Sequence, residues 1–248
     1  METVYDEELP VLKRIKIPMV WERMSCGICI KDLQPDKYDV ALNIIQNNFL
    51  DDDPLCKASA VLGNDVAIQE YLKVALHWIQ DTQSFLAVED RTDRAVGVLI
   101  GSVNERDACT NAMNGTRIYQ SIPMNKMQKF LAHVHKQVNQ FDVFGVEALY
   151  EVYIWCVVRE YRNKGIGKAL LRTGLEQTSQ FRLSAAMGVF TGAVSQYIAE
   201  NMGFQTLHEI LYWEWKDGDK AIFDSPGPGN NSANLMVKRV VPADVINI

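Results

Sequence analysis

The sequence predicts a mixed α/β fold with one main domain, and three observations carry this. Short strand-like segments alternate with segments of helical apolar spacing, without internal repeats or low-complexity linkers. The strand-like run Val152-Tyr153-Ile154-Trp155-Cys156-Val157-Val158 is followed by Arg162-Asn163-Lys164-Gly165-Ile166-Gly167-Lys168, which opens the amphipathic run Ala169-Leu170-Leu171-Arg172. The 248 residues are 48% hydrophobic and 23% charged, a balance suited to a well-buried globular core.

Residues 1–25, with Pro10, Pro18 and Trp21, read as an arm or lid, and 26–248 as a single domain. Residues 27–31 form a short strand and 37–49 a helix, with Val40, Ile44 and Ile45 at helical spacing. Asn64-Asp65 caps a second helix over 66–80, whose apolar stripe is Ile68, Leu72, Ala75, Leu76 and Ile79. Residues 84–88 and 95–103 make a hairpin across Asp90-Arg91-Thr92-Asp93. The stretch 104–125 is polar and turn-rich, a long surface loop of the kind that often carries function. A third helix over 125–140 precedes the strand 149–158. A fourth helix (165–179), a buried strand (184–190) and a fifth helix (192–201) follow. Gly203 suits a left-handed cap after that helix. The last strands are 205–215 and 235–241, separated by the loop 218–234.

Composition removes several classes. No apolar run approaches the roughly 20 residues of a membrane span. The acidic start Met1-Glu2-Thr3-Val4-Tyr5-Asp6-Glu7-Glu8 has no apolar signal core, so a cytoplasmic location is expected. A net charge of −6 argues against nucleic acid, which favours basic surfaces. The five cysteines, Cys26, Cys29, Cys56, Cys109 and Cys156, are odd in number and scattered. Cys26 and Cys29 have metal-like spacing, but no second pair completes a zinc site, so all five read as reduced packing residues and no metal is expected. A monomer with small-molecule partners is expected.

A strand that breaks through glycines into a helix aims backbone N–H groups at one point, backed by the positive end of the helix dipole. That is a phosphate cradle, and Arg162, Lys164, Lys168 and Arg172 add four positive charges to it. It is not a Walker A loop, because Lys168 is followed by Ala169 and Asn163 stands where the first glycine belongs. Nor is it a dinucleotide fingerprint, whose third glycine position is Leu170. The bare alternative is an ordinary strand-to-helix turn with a basic first helical turn.

Arg-x-x-Gly-x-Gly after a strand resembles motif A of the GCN5-related N-acetyltransferases, as does the element order from about residue 26 on and the pair Gly203-Phe204. Asn48-Phe49-Leu50-Asp51-Asp52-Asp53-Pro54-Leu55 resembles the Asp-Glu-Pro-Leu signature of insect arylalkylamine N-acetyltransferases, in the expected order before motif A. The placement of Thr191 and Ser195 is similar to the same subfamily. The resemblance implies a central mixed, mostly antiparallel sheet, flanked by helices and splayed at the cofactor site. It implies acetyl-CoA as cosubstrate, with its pyrophosphate on Arg162, Asn163, Lys164, Gly165, Ile166, Gly167 and Lys168. The pantetheine arm would lie along backbone around Cys156, Val157 and Val158.

The implied chemistry is direct attack of a primary amine on the thioester. An alkylamine of pKa about 10 is neutral about one time in a thousand at pH 7, a cost of roughly 4 kcal/mol that a general base reduces. Asp53 holds the position of the family's glutamate but is one methylene shorter, so it works through an additional water or shares the duty with Asp52. Repulsion among the three adjacent acids raises their pKa values. The alternative is a solvated acidic cap stopped by Pro54. Many members carry a tyrosine four residues before the glycine of the Gly-Phe pair, where this chain has Ala199. Tyr197 lies about 200° around the helix from that position and is expected to point elsewhere. Ser195 and Thr191 are assigned hydrogen bonding or water positioning; the competing role is helix-start bonding, with Thr191 as N-cap.

Cys156, in an apolar strand, reads as structural rather than as an acyl-carrying nucleophile. His133 and His135, two apart on a helix, fall on different faces and read as surface or packing residues, as does His77 beside Trp78. The implied acceptors are dopamine, octopamine, tyramine, serotonin or tryptamine. The alternatives are other small amines, such as polyamines or hydrazines, or a non-catalytic acyl-CoA-binding regulatory protein.

Overall fold

The computed structural model describes residues 18–81, 83–106, 118–217, 219–223 and 225–243. Its strands in chain order are β1 (Val20–Arg23), β2 (Ile28–Asp32), β3 (Phe85–Glu89), β4 (Ala95–Glu105), β5 (Ala148–Val157), β6 (Ala185–Phe190), β7 (Gln205–Leu211), β8 (Lys216–Asp217), β9 (Lys220–Ala221) and β10 (Ser232–Arg239). Eight of them form one sheet in the order β1-β2-β3-β4-β5-β6-β10-β7, and β8 and β9 pair separately. Within the large sheet β5 and β6 run parallel and every other pair is antiparallel. This is the mixed, mostly antiparallel sheet that was expected.

Helices cover both faces, which is why β4 reads as a nearly unbroken apolar run, with Val96, Val98, Leu99 and Ile100 all buried. One face carries α1 (Tyr38–Ile44), α2 (Pro54–Ala58), α3 (Asp65–Ile79), α4 (Ile122–Lys136) and α5 (Gln140–Phe144). The other carries α6 (Ile166–Gln180) and α7 (Ala193–Asn201). Asn64 caps α3 as expected, accepting from the Ala67 N–H at 2.9 Å, a contact typically worth ~1 kcal/mol. Phe130 of α4 sits among the rings of Tyr212, Trp215 and Phe223, with centroids 5.8, 5.4 and 5.0 Å away. Truncating such a ring to alanine costs ~3–5 kcal/mol, so this cluster fixes α4 against the segment after β7.

Several boundaries differ from the sequence reading. Val20–Arg23, inside the supposed arm, is the edge strand of the sheet. The Trp21 indole anchors it, donating to Asp32 Oδ1 at 2.6 Å and packing edge-on against Phe85. The third helix starts at Ile122, because Ser121 caps it and Pro123 suits a first turn. It ends at Lys136, and Asn139 caps the separate α5. The 104–125 stretch therefore gives its first residues to β4 and its last to α4, while 107–117, including Cys109, lie outside the described residues. The strand read over 205–215 stops at Leu211 and turns into a 3-10 helix, Tyr212–Glu214. Among the described residues no helix is long and apolar enough to cross a membrane.

Two local departures create the site. β5 pairs with β4 from Ala148 to Val157 but with β6 only at Tyr150–Val152, so the two parallel strands separate beyond Val152. The β4–β5 register also slips by one residue, leaving Tyr153 as an extra residue in β5. The slip reverses the side-chain alternation. Tyr150 and Val152 face α6 before it, whereas Ile154 and Cys156 face the α1–α4 side after it.

Candidate active site

The split between β5 and β6 opens into a cavity of about 910 Å³. Its outer end is the strand-to-helix turn after β5. Gly165 caps α6 with φ +79°, a left-handed conformation that favours glycine, and Asn163 is also left-handed at φ +62°. The first N–H groups of α6, at Ile166, Gly167 and Lys168, have no intrahelical partner and face outward at the positive end of the dipole. The Trp155 indole fixes the turn by donating to Gly167 O at 3.0 Å. A Cβ at Gly167 would lie 3.5 Å from that indole, an ordinary van der Waals contact.

The cations around the turn are not equivalent. Arg162 donates to Asp52 and, through Nε, to Val157 O at 2.9 Å. Arg172 is turned away to Glu22 of β1, at 2.5 and 3.2 Å. The structure thus removes Arg172 from the cradle. Lys164 lies over the Tyr161 ring at 4.9 Å, and among the described residues Lys164 and Lys168 form no ion pair.

Of the residues expected to hold a cofactor, Cys156, Val157, Arg162, Asn163, Gly165, Ile166, Gly167 and Lys168 line the cavity. Lys164 does not, and neither does Val158, whose side chain is in the core and whose N–H is bonded to Val96 O at 2.9 Å. Polar groups alternate sides along a strand. With Val158 N–H turned to β4, the N–H and C=O of Val157 face the split, which the Arg162–Val157 bond confirms for the C=O. Cys156 is 5% exposed, and burial pushes its thiol up to about 12, which keeps it protonated and unreactive near neutral pH.

At the middle of the cavity stand Asp53 and Thr191. A π-helical turn, Ile45–Phe49, followed by a last α-helical turn, carries α1 to Asp52 and delivers Asp53 as the N-cap of α2. Asp53 is 8% exposed. Its Oδ1 accepts from Cys56 N–H at 2.8 Å, and its Oδ2 accepts from the Thr191 hydroxyl. Burial pushes its carboxyl up, and these hydrogen bonds only partly offset that. Asp51 and Asp52 do not supply the shift, because Arg159 holds both and Arg162 also holds Asp52. Partial burial would raise Asp52, but the two guanidinium groups outweigh it and hold its carboxyl below the usual range. Sequence adjacency had suggested mutual repulsion; the fold instead separates one buried acid from two neutralised ones.

Thr191 is not the N-cap of α7. That place is taken by Gly192, and the Thr191 carbonyl accepts from the Tyr212 hydroxyl at 2.7 Å. Ser195 lines the cavity and donates to Gly192 O at 2.8 Å. Tyr197, expected to point elsewhere, is 67% exposed and contributes to the cavity wall at its mouth, whereas Ala199 is wholly buried.

The inner end was not foreseen. Phe49, Tyr71, Trp78, Met127 and Leu131 line it, with Tyr153 stacked on Trp78 at 4.3 Å. His135, read as a surface or packing residue, lines this chamber with Nε2 3.3 Å from Glu151 Oε1. His133, two residues away, instead packs on Trp215 and contacts Gln137 at 2.8 Å. The different-faces argument separated the pair correctly but could not say which face was internal. The signal available was a glutamate in an otherwise apolar strand, Leu149-Tyr150-Glu151-Val152, a pattern that requires a buried partner.

No family model matches the sequence. Solved structures do match the fold. An arylalkylamine N-acetyltransferase 2 from Aedes aegypti superposes with a TM-score of 0.77 at 23% identity, over 86% of this chain and 99% of that one. A mosquito arylalkylamine N-acetyltransferase like 5b gives 0.74 at 18% identity, over 86% and 100%. A Drosophila melanogaster polyamine N-acetyltransferase, described as catalysing formation of N-acetylagmatine, gives 0.73 at 15% identity, over 86% and 100%. With its eight-stranded mixed sheet and the β5–β6 split, this chain has the fold of the GCN5-related N-acetyltransferases.

Proposed function

We propose that the protein transfers the acetyl group of acetyl-CoA to the primary amine of a small arylalkylamine by direct attack. The observation that carries this reading is the buried Asp53 carboxylate midway along one cavity, between a glycine-opened turn and an aromatic chamber. Acetyl-CoA as substrate fits the outer end. The free N–H groups at the start of α6, with Arg162 and Lys168, suit a pyrophosphate. The Val157 N–H, facing the split, suits the thioester carbonyl as charge develops on its oxygen.

Asp53 accepts the proton of the attacking amine. Its oxygens accept from the Cys56 N–H and the Thr191 hydroxyl, with the Cys56 thiol and the Leu55 N–H also against the carboxylate. A water bridges the shorter aspartate to the amine. Burial keeps its proton affinity above that of an ordinary aspartate, which makes it a stronger base. Thr191 holds the carboxylate in place. The C–N bond forms, the C–S bond breaks, and the thiolate leaves along the wall that includes Ser195.

The neighbouring polyamine N-acetyltransferase supports a second reading within the same chemistry, acetylation of an aliphatic amine. A panel of arylalkylamines, polyamines and hydrazines incubated with acetyl-CoA and assayed for free thiol and acetylated product tests both. Turnover with arylalkylamines supports the proposal. CoA binding without thiol release for any amine would reduce the protein to an acyl-CoA binder.

A further inference from the structure

Asp53 has a neighbour on its own helix that the transfer step does not use. Asp53 is the N-cap of α2, and Cys56 is the third helical residue, after Pro54 and Leu55. That spacing brings a side chain back beside the N-cap. The Asp53 N–H is already donated to Phe49 O at 2.8 Å, so the Cys56 side chain turns to the carboxylate instead. Cys56 is wholly buried, and its thiol is hydrogen-bonded both to the Asp53 carboxylate and to the hydroxyl of Tyr71 on α3.

Donor counting fixes the direction of these two bonds. An ionised carboxylate only accepts, so the single thiol proton goes to Asp53. The sulfur then accepts from Tyr71, which is 4% exposed and whose hydroxyl needs a buried partner. The chain of bonds runs from Tyr71 in the cavity wall, through Cys56, to the base. The other titratable groups around Asp53 are Cys156 of β5, Tyr212 after β7 and, next in sequence, Asp52 with its partners Arg159 and Arg162. Burial pushes Cys56, Tyr71, Cys156 and Tyr212 up, and against its partial burial the two guanidinium groups hold Asp52 down. These groups therefore keep their charge states while Asp53 titrates.

A buried base must hold a proton more tightly than an exposed aspartate, yet be free of it when the amine arrives. Burial serves the first need, and donors to the charged form serve the second. A thiol is a weak donor, so it favours the charged form less than a hydroxyl would and leaves more of the base strength intact. Resting on the acetyltransfer reading, we propose that Cys56 is a positioning residue for that base: its thiol, held by Tyr71, donates to Asp53 and sets how readily the carboxylate takes the proton of the amine.

The test uses the full chain labelled with ¹³C at the aspartate carboxyl groups. The Asp53 resonance is assigned by its loss in Asp53→Asn, and its titration midpoint is followed by NMR. Cys56→Ala removes the donor and should move the midpoint to higher pH. Cys56→Ser supplies a stronger donor and should move it to lower pH. Each displacement should be about half a pH unit, because two or three N–H bonds together take a carboxylate from about 4 to below 2. Tyr71→Phe should raise the midpoint by less, and should add nothing in the Cys56→Ala background. The acid limb of kcat/KM should move in the same order. Opposite displacements from alanine and serine are not expected of a residue that only packs. Thermal melts establish which variants are folded; if neither Cys56 variant folds, a raised midpoint in Tyr71→Phe supports the chain of bonds and an unmoved one overturns it. Unmoved midpoints, or alanine and serine acting in the same direction, overturn the proposal. Because the midpoint is read without turnover, the predicted order with no acetylated product would remove the acetyltransfer reading alone, and product with unmoved midpoints would remove the role of Cys56 alone.

Discussion

At its outer end the cavity is walled by residues 161–163 and 165–168 of a single turn, whose recognition groups are backbone N–H and exposed cations. At its inner end it is walled by side chains from the π-helical turn after α1 and from α3, α4 and β5, and the polar ones are almost wholly buried. The outer end suits a ligand part that every acyl-CoA shares. The inner end suits the part that varies between acceptors, because side chains and not backbone groups line it. Asp53 belongs to neither end. It sits where they meet, held by a backbone N–H on one side and by Thr191 on the other.

The largest effect should come from that meeting point. Asp53→Asn keeps an N-cap, so the fold should survive, while turnover at neutral pH falls by about 10²–10⁴. The same variant tests why the acid is a good base. Because burial raises its folded-state pKa, the group's contribution to stability is fully present below the ordinary aspartate value. That contribution is lost as pH rises through the raised value. Thermal melts across this window should show wild type losing stability relative to Asp53→Asn; parallel profiles would mean that the carboxylate is not desolvated.

Next comes the contrast among the cations. Arg162→Ala should weaken CoA binding about 10–100-fold, the range of a charge-assisted contact worth ~1.5–3 kcal/mol. Arg172→Ala, which removes a residue bonded to Glu22, should change it far less. Equal losses, read by titration with CoA at fixed salt, would show that the cradle acts as a diffuse positive field and not through placed groups. Thr191→Val should act more subtly. Losing a hydrogen bond to the charged form moves the Asp53 carboxyl further up, so the acid limb of kcat/KM should shift to higher pH. An unmoved limb would separate Thr191 from the base. The smallest effect is expected from Ser195→Ala. Its hydroxyl already serves Gly192 O, so turnover should drop only a few-fold and stability by about 1 kcal/mol. A loss as large as that of Asp53→Asn would make Ser195 a reacting group.

The same contrast explains what could be read from the chain alone. Gly165, Ile166, Gly167 and Lys168 are adjacent in sequence and act through their backbone, so a short pattern after a strand was enough to find the cradle. The helix capped by Asn64 and the hairpin of β3 and β4 were legible for the same local reason. Asp53 was legible as a position, but its environment was not, because its hydrogen-bond partner Thr191 lies 138 residues away. Glu151 and His135 meet only because α4 crosses β5 near the register slip at Tyr153. Neither the crossing nor the slip leaves a periodic mark in sequence. Arg172 was misplaced by proximity: one helical turn beyond Lys168 brings it to β1, an edge strand hidden in a segment that had looked like an arm.

The most direct test is a crystal structure with a bisubstrate analogue in which the sulfur of CoA is joined through an acetyl linker to the nitrogen of tyramine. The account predicts the pyrophosphate against the N–H groups of 166–168, the linker nitrogen within one water of Asp53, and the ring between Trp78 and Phe49. An analogue with its pyrophosphate away from that turn, or with its ring outside the chamber while the nitrogen lies far from Asp53, would contradict it.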